Sequence, residues 1–262
     1  MSPRTHRNLV PSGSRQRGLT LIELLVSMAI AVFLLGGLLT IVGNTRRAFT
    51  AQNVMSQLQD NQRLAMTLIG DVIQEAGYFP DPTTNVSTTV LPVVAGTFPI
   101  AGQSITGTYA AAAPGDTLSV RFATTKNDGV INCIGGSNTT VVSPPVVYLN
   151  VFSIDAAGNL ICKLTVNGVT TQAILVGGQP GQPALQSMAV LYGVTTNTAL
   201  NNGAADTYLR ADQMTAANWG NVVCVKVTLA FVNPLFGQPG QTQPTITFQR
   251  VIGVMNKTGV KV

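Results

Sequence analysis

Few side chains in this sequence have the chemistry to be more than scaffold, and the first of them is an acid. In "RQRGLTLIELLVSMAIAVFLLGG", residues 15–37, Glu23 interrupts an otherwise apolar run, and no cationic side chain lies within reach along that run. An ionisable group in such a segment is functional by default, because placing it in lipid is costly. The usual reactive constellations are missing elsewhere. His6 is the only histidine, so the body of the chain offers no Ser-His-Asp or Cys-His arrangement and no imidazole for zinc. No phosphate-cradling loop of the G-x-x-x-x-G-K type occurs. Asp116, Asp128 and Asp155 lie beside turns, where Asp is favoured for local hydrogen bonding. Cys133, Cys162 and Cys224 leave an odd count. The residues point away from an enzyme, with no catalytic group, metal site or cofactor expected.

The elements that carry these residues follow from composition and period. The 262 residues are 45% hydrophobic and only 10% charged, with 26 glycines and 14 prolines, which favours a turn-rich β or α+β body over a helical bundle. The formal charge of +5 is no nucleic-acid footprint, because Arg4, Arg7, Arg15 and Arg17 all precede the apolar run and the other cations are scattered. Direct nucleic-acid binding is not expected. Leu19 to Val42 carries one charge and is long enough to cross a bilayer as a helix. The basic stretch ahead of it keeps residues 1–18 cytoplasmic and sends the rest outward, with Arg46 and Arg47 as interfacial anchors beyond it. Ala29-Ile30-Ala31 resembles a secretory cleavage site, but the apolar run continues past it. A plain uncleaved anchor explains everything except Glu23 and the glycine before Leu19.

Apolar residues continue at helical spacing through Ala51, Val54, Met55, Leu58, Ala65, Leu68, Ile69, Val72, Ile73 and Ala76. Gly77 followed by Tyr78-Phe79-Pro80-Asp81-Pro82 ends the pattern. A single helix over residues 19–76 is expected, about 85–90 Å long at ~1.5 Å per residue. Beyond it the period becomes that of strands: Thr117–Thr124, Val146–Ile154, Leu160–Val166, Met188–Val194, Val222–Val232 and a last run from Thr245 to Met255. "DAAGN", after Ile154, reads as a hairpin turn. "GQPGQP" (178–183) and "GQPGQTQP" (237–244) read as surface loops. In "NVVCVKVTLAFVNP" alternate apolar residues from Val223 to Phe231 make a half-buried strand whose apolar face suits the amphipathic helix.

With these residues in view, "RGLTLIELL" resembles the class III signal of type IV prepilins: a short basic leader ending in Gly, then an apolar helix with Glu at its fifth position. The resemblance implies that prepilin peptidase cuts between Gly18 and Leu19 and methylates the new amine on Leu19. Most members have Phe after the cut; here it is Leu. Cleavage would create an amine four residues from Glu23, and between subunits one chain's amine can neutralise the next chain's carboxylate and set filament register.

The head resembles the PilW group of minor pilins through "EAGY" at the helix end, Cys133 followed by Gly135, "NVFSIDAAGNLICKL", and "AVLYGVTTN" followed by Trp219 ahead of a long strand. Cys133 and Cys162 flank the same hairpin and the resemblance favours pairing them, with Cys224 left as a thiol; pairing of Cys224 with either stays open on the residues alone. Relatives often have a more acidic segment after "YGV"; residues 195–203 lack the carboxylates for a calcium cage. Trp219 reads as packing. The implied fold is α+β and type IV pilin-like, a long N-terminal helix with a transmembrane first half, packed on an antiparallel β-sheet head. Its parts are a leader (1–18), a transmembrane or filament-core helix (19–44), the amphipathic half-helix (45–77) and a β-rich head (78–262). The implied function is a minor pilin that primes pili or sits in their tip complex, supporting motility, adhesion or DNA uptake. The implied partners are prepilin peptidase, other minor pilins and the major pilin, a large tip adhesin, the inner membrane and the assembly platform. The implied location is the inner membrane, head in the periplasm, then the surface pilus. The alternatives are a pseudopilin of a type II secretion system and a membrane-anchored periplasmic enzyme.

Overall fold

A computed structural model describes residues 18, 20–177, 184–196 and 204–258. The helical period yields one helix, α1 (Leu21–Gln74). The chain packs as two compact units, Met1–Thr50 and Ala51–Val262. In the first unit α1 is apolar around its circumference as far as Val42, Glu23 excepted, and none of the described residues is buried. In the second unit it is amphipathic, burying Leu58, Ala65, Met66, Ile69, Val72 and Ile73 at steps of a helical face. The helix stops two residues before the expected Ala76. Tyr78 N–H turns back to the Glu75 carbonyl at 2.9 Å, and Gly77 takes φ +78, where a side chain is disfavoured.

A short helix α2 (Ser87–Val90) lies in the connection to the sheets. The strands are β1 (Ile105–Thr108), β2 (Thr117–Thr124), β3 (Val146–Ile154), β4 (Leu160–Val166), β5 (Val169–Val176), β6 (Leu185–Val194), β7 (Thr207–Leu209), β8 (Val222–Val232) and β9 (Thr245–Gly253). Helix α3 (Ala216–Gly220) precedes β8 and α4 (Met255–Thr258) follows β9. Among the described residues these strands pair antiparallel in two sheets, one ordered β1-β2-β3-β4-β5 and one ordered β7-β6-β8-β9. The expected "DAAGN" hairpin is present: Ile154 faces Leu160, and Asp155 Oδ1 accepts from the N–H groups of Ala157 and Asn159, both at 2.9 Å. The expected loop at 178–183 lies outside the described residues, as does most of 195–203.

β3 alternates buried and half-buried residues along its length, as a strand with one core face should. β2 instead is buried on both faces. Leu118, Val120 and Phe122 enter the main core, while Ser119, Arg121 and Ala123 face the other way and are still covered. The cover is the segment between α1 and β1. Arg121 is 2% exposed; its guanidinium donates to the carbonyls of Gln103 (2.6 Å), Pro92 (2.7 Å) and Leu91 (3.2 Å) and stacks 4.1 Å over the Phe98 ring. Burial pulls its pKa down to about 10, so it remains charged at neutral pH.

Asp116 joins the two sheets. Its carboxylate accepts from Ala110 N–H at 2.9 Å and from Val190 N–H, in β6, at 2.8 Å, and its own N–H donates to the Met188 carbonyl at 2.8 Å. Around this junction one apolar cluster takes in Ile69 and Ile73 of α1, Phe152 of β3, Tyr192 of β6 and Val225, Val227, Leu229 and Phe231 of β8. Each such side chain, removed from water, contributes about 1.5–3 kcal/mol. Of the alternating residues read in β8, Val225, Val227, Leu229 and Phe231 share this core with the helix, whereas Val223 lies outside it where the β6–β8 register shifts and Val222 enters instead.

Candidate processing and assembly site

The site is built where α1 begins. Thr20 is the N-cap, and the first helical bond runs from Leu24 N–H to its carbonyl at 3.2 Å. Glu23 Oε2 accepts from Thr20 N–H at 3.0 Å and from the Thr20 hydroxyl at 2.9 Å, while Glu23 N–H donates to Thr20 Oγ1 at 3.4 Å. This reciprocal pair is a capping box: the side chain at the cap satisfies an orphan N–H of the first turn, and the acid three residues on satisfies the cap's own N–H. The carboxylate also sits at the positive end of the helix dipole. Sequence reasoning found Glu23 and missed Thr20, although "TLIE" ahead of an apolar run is the signature of such a box. Among the described residues the acid has no cationic partner, but it is not unsatisfied.

Gly18 is exposed, with open space where a Cβ would project. Leu19, His6 and the rest of residues 1–17 lie outside the described residues. Along the apolar segment the hydroxyls are satisfied by the helix itself. Ser27 donates to the Leu24 carbonyl and Thr40 to the Gly36 carbonyl, both at 2.9 Å. They ask nothing of a surrounding apolar medium. Large side chains such as Leu21, Phe33 and Leu39 are more than two-thirds exposed, so the first unit presents a continuous apolar surface. α1 is the one helix among the described residues that is long and apolar enough to cross a membrane.

The remaining singled-out residues do not join this site. Cys133 and Cys162 form a disulfide with Cα atoms 6.3 Å apart, tying the loop between β2 and β3 to β4; Cys224 is a half-buried thiol. Asp128 accepts from Thr124, Thr125 and Val130, and Asp155 from its own turn, so both serve local backbone geometry. Asp155 is held below the ordinary carboxylate range by the Asn159 backbone first and neighbouring N–H groups after it. Trp219 packs edge-on against Tyr192 with ring centroids 4.7 Å apart, a packing role. Among the described residues no group of three His, Cys, Asp or Glu side chains is placed to hold a metal ion.

The capping box and its apolar helix coincide with a family-model match: the prokaryotic N-terminal methylation motif matches residues 13–39. A second model, described as Type IV Pilus-assembly protein W, matches residues 151–252, from the middle of β3 into β9. A type IV-like pilin from Thermus thermophilus aligns with 77% of this chain and 97% of its own, at 12% identity and a TM-score of 0.47. A search of curated proteins returns no match. The methylation motif thus falls on the exposed apolar helix and the pilus-assembly match on the two-sheet body, and over these two segments the chain is similar to type IV prepilins and to the PilW group of minor pilins.

Proposed function

We propose that this chain is a minor pilin, cut after Gly18 and methylated at Leu19, that joins other minor pilins in the complex that primes type IV pili or sits at their tip. The observation that carries the reading is the first unit of α1: an all-round apolar surface whose one carboxylate, Glu23, is fixed at the helix start. Before assembly that surface suits the inner membrane, with the β-rich body on the periplasmic side. In a fibre it suits the same helices of neighbouring subunits, and the Glu23 carboxylate is the natural partner for the amine that processing creates on the adjacent chain. The fibre then serves motility, adhesion or DNA uptake. The match over residues 151–252 favours this role over a pseudopilin, which shares the N-terminal machinery.

The test is processing. Gly18→Ala is expected to leave a longer species in the membrane on an immunoblot, while the wild type yields a mature N-terminus at Leu19. An N-terminus at Met1 in the native protein, or normal processing of the variant, overturns the reading.

A further inference from the structure

At the end of α1 the body holds an acid with no assigned task. One side-chain oxygen of Glu75, Oε2, is buried without a hydrogen-bond partner. Glu75 lines a hollow of about 430 Å³ whose other walls include Tyr78, Phe79, Pro82, Val130 and Met255. These walls are mostly apolar, and desolvation by them pushes the Glu75 carboxyl up to about 7, offset in part by the Ile131 backbone and reinforced by the charges of Asp71 and Asp128. Asp71 belongs to α1 and Asp128 to the turn after β2. Asp81 stands on the rim, its oxygens engaged by Thr83 and Thr84, and no Lys, Arg or His is among the lining residues. An unpartnered buried oxygen in a field of like charge is an expensive arrangement for the isolated subunit.

We propose that this hollow is a receptor for a lysine or arginine side chain on the head of a neighbouring pilin, with the aliphatic stem against Phe79, Pro82, Val130 and Met255 and the cationic tip on Glu75. The chemistry favours this occupant. Long basic side chains combine an apolar stem with a charged end, which is the pattern of the walls and the base. A hydrated divalent ion wants six or more oxygens, and the walls offer few. The negative field excludes anions. The source of the cation rests on the reading of the chain as a pilin; the chemistry of the hollow does not.

The probe is N-acetyl-lysine N-methylamide, with the norleucine counterpart as a neutral control, titrated by calorimetry into the detergent-solubilised full chain. Saturable binding is expected at pH 8, at least tenfold weaker for the norleucine compound, for the wild type at pH 5.5, and for Glu75→Gln. The pH arm uses unaltered protein, so the test survives a variant that folds poorly. Absence of saturation, or equal binding of the two compounds, overturns the proposal. Leader processing separates the two readings: a processed wild type that fails to bind the probe defeats this inference alone, and an unprocessed one that binds it defeats the neighbouring pilin as the source.

Discussion

Replacing Arg121 tests how the body of the protein is held together. Arg121→Met keeps an unbranched apolar stem of similar length and removes the guanidinium. Three bonds from the charged group are lost, to the Gln103, Pro92 and Leu91 carbonyls. At roughly 1.5–3 kcal/mol for a hydrogen bond to a charged group, the gross loss is about 4–9 kcal/mol. Two effects reduce it. The Leu91 carbonyl keeps the Gly102 N–H at 2.8 Å, so two acceptors and not three are orphaned. The variant is also relieved of burying a charge, a penalty that pulls the Arg121 pKa down to about 10 and corresponds to about 3 kcal/mol. The net expectation is a loss of about 2–5 kcal/mol. For a body of this size that lowers the melting temperature by about 5–15 °C. The assay is thermal unfolding of the full chain in detergent, with hydrogen exchange to localise the effect at residues 84–104. Arg121→Lys is expected to fall between, because one ammonium cannot span three carbonyls. Unfolding of Arg121→Met within about 0.5 kcal/mol of wild type, with unchanged exchange in that segment, refutes the reasoning.

Two further expectations rest on the same body. Cys133→Ser with Cys162→Ser opens a loop with a sequence separation of 29, which costs about 3–4 kcal/mol in the chain-entropy model, whereas Cys224→Ser stays within about 1 kcal/mol; urea unfolding under non-reducing conditions checks both. Glu75 sets a pH dependence. Its folded pKa of about 7 lies above the ordinary 4.5, so between those values the folded state holds a proton that the unfolded state has released. Stability therefore falls as pH rises through that window and levels off above it, by about 1–2 kcal/mol once solvent screening is allowed for. Glu75→Gln abolishes the slope, and an unchanged slope in that variant contradicts the assignment.

What the sequence makes legible, and what it does not, divides along one line. β2, β3, β4 and β8 are visible because each is a run of Val, Ile, Leu or Phe bounded by Gly, Pro, Asn or Asp, and those are local facts. β5 is not, because "VTTQAILV" is an exposed edge with little apolar alternation; its one local mark is the Asn167-Gly168 turn, where both residues take positive φ and Val166 faces Val169. β1 and β7 have too few residues to carry a pattern. The division into two sheets is invisible for a different reason. The two sheets meet at Asp116, which reads as a turn residue and bonds Val190 across 74 positions. Arg121 likewise lies in a strand whose bounds are legible, but only the segment laid over one face of that strand makes it interior. In each case the missing information is which distant backbone supplies the partner.

Glu23 shows the same division within a few residues. Period and spacing mark it as an acid without a cation, which sends the reasoning to a partner on another chain. The structure supplies a nearer one, because Thr20 gives the carboxylate two donors and receives one in return. The two partners are not rivals. A capping box holds the carboxylate at the helix end with its rotamer fixed, so an incoming amine meets an acceptor that needs no reorganisation. A carboxylate has about four acceptor sites, and Thr20 occupies two of them, both on Oε2, which leaves Oε1 for a second donor. The box thus accounts for how an acid is carried at the head of an apolar helix before any partner is present. It also accounts for why the acid can then act as a positional contact on the proposed assembly path. A free, mobile glutamate would meet the charge requirement but would specify no register.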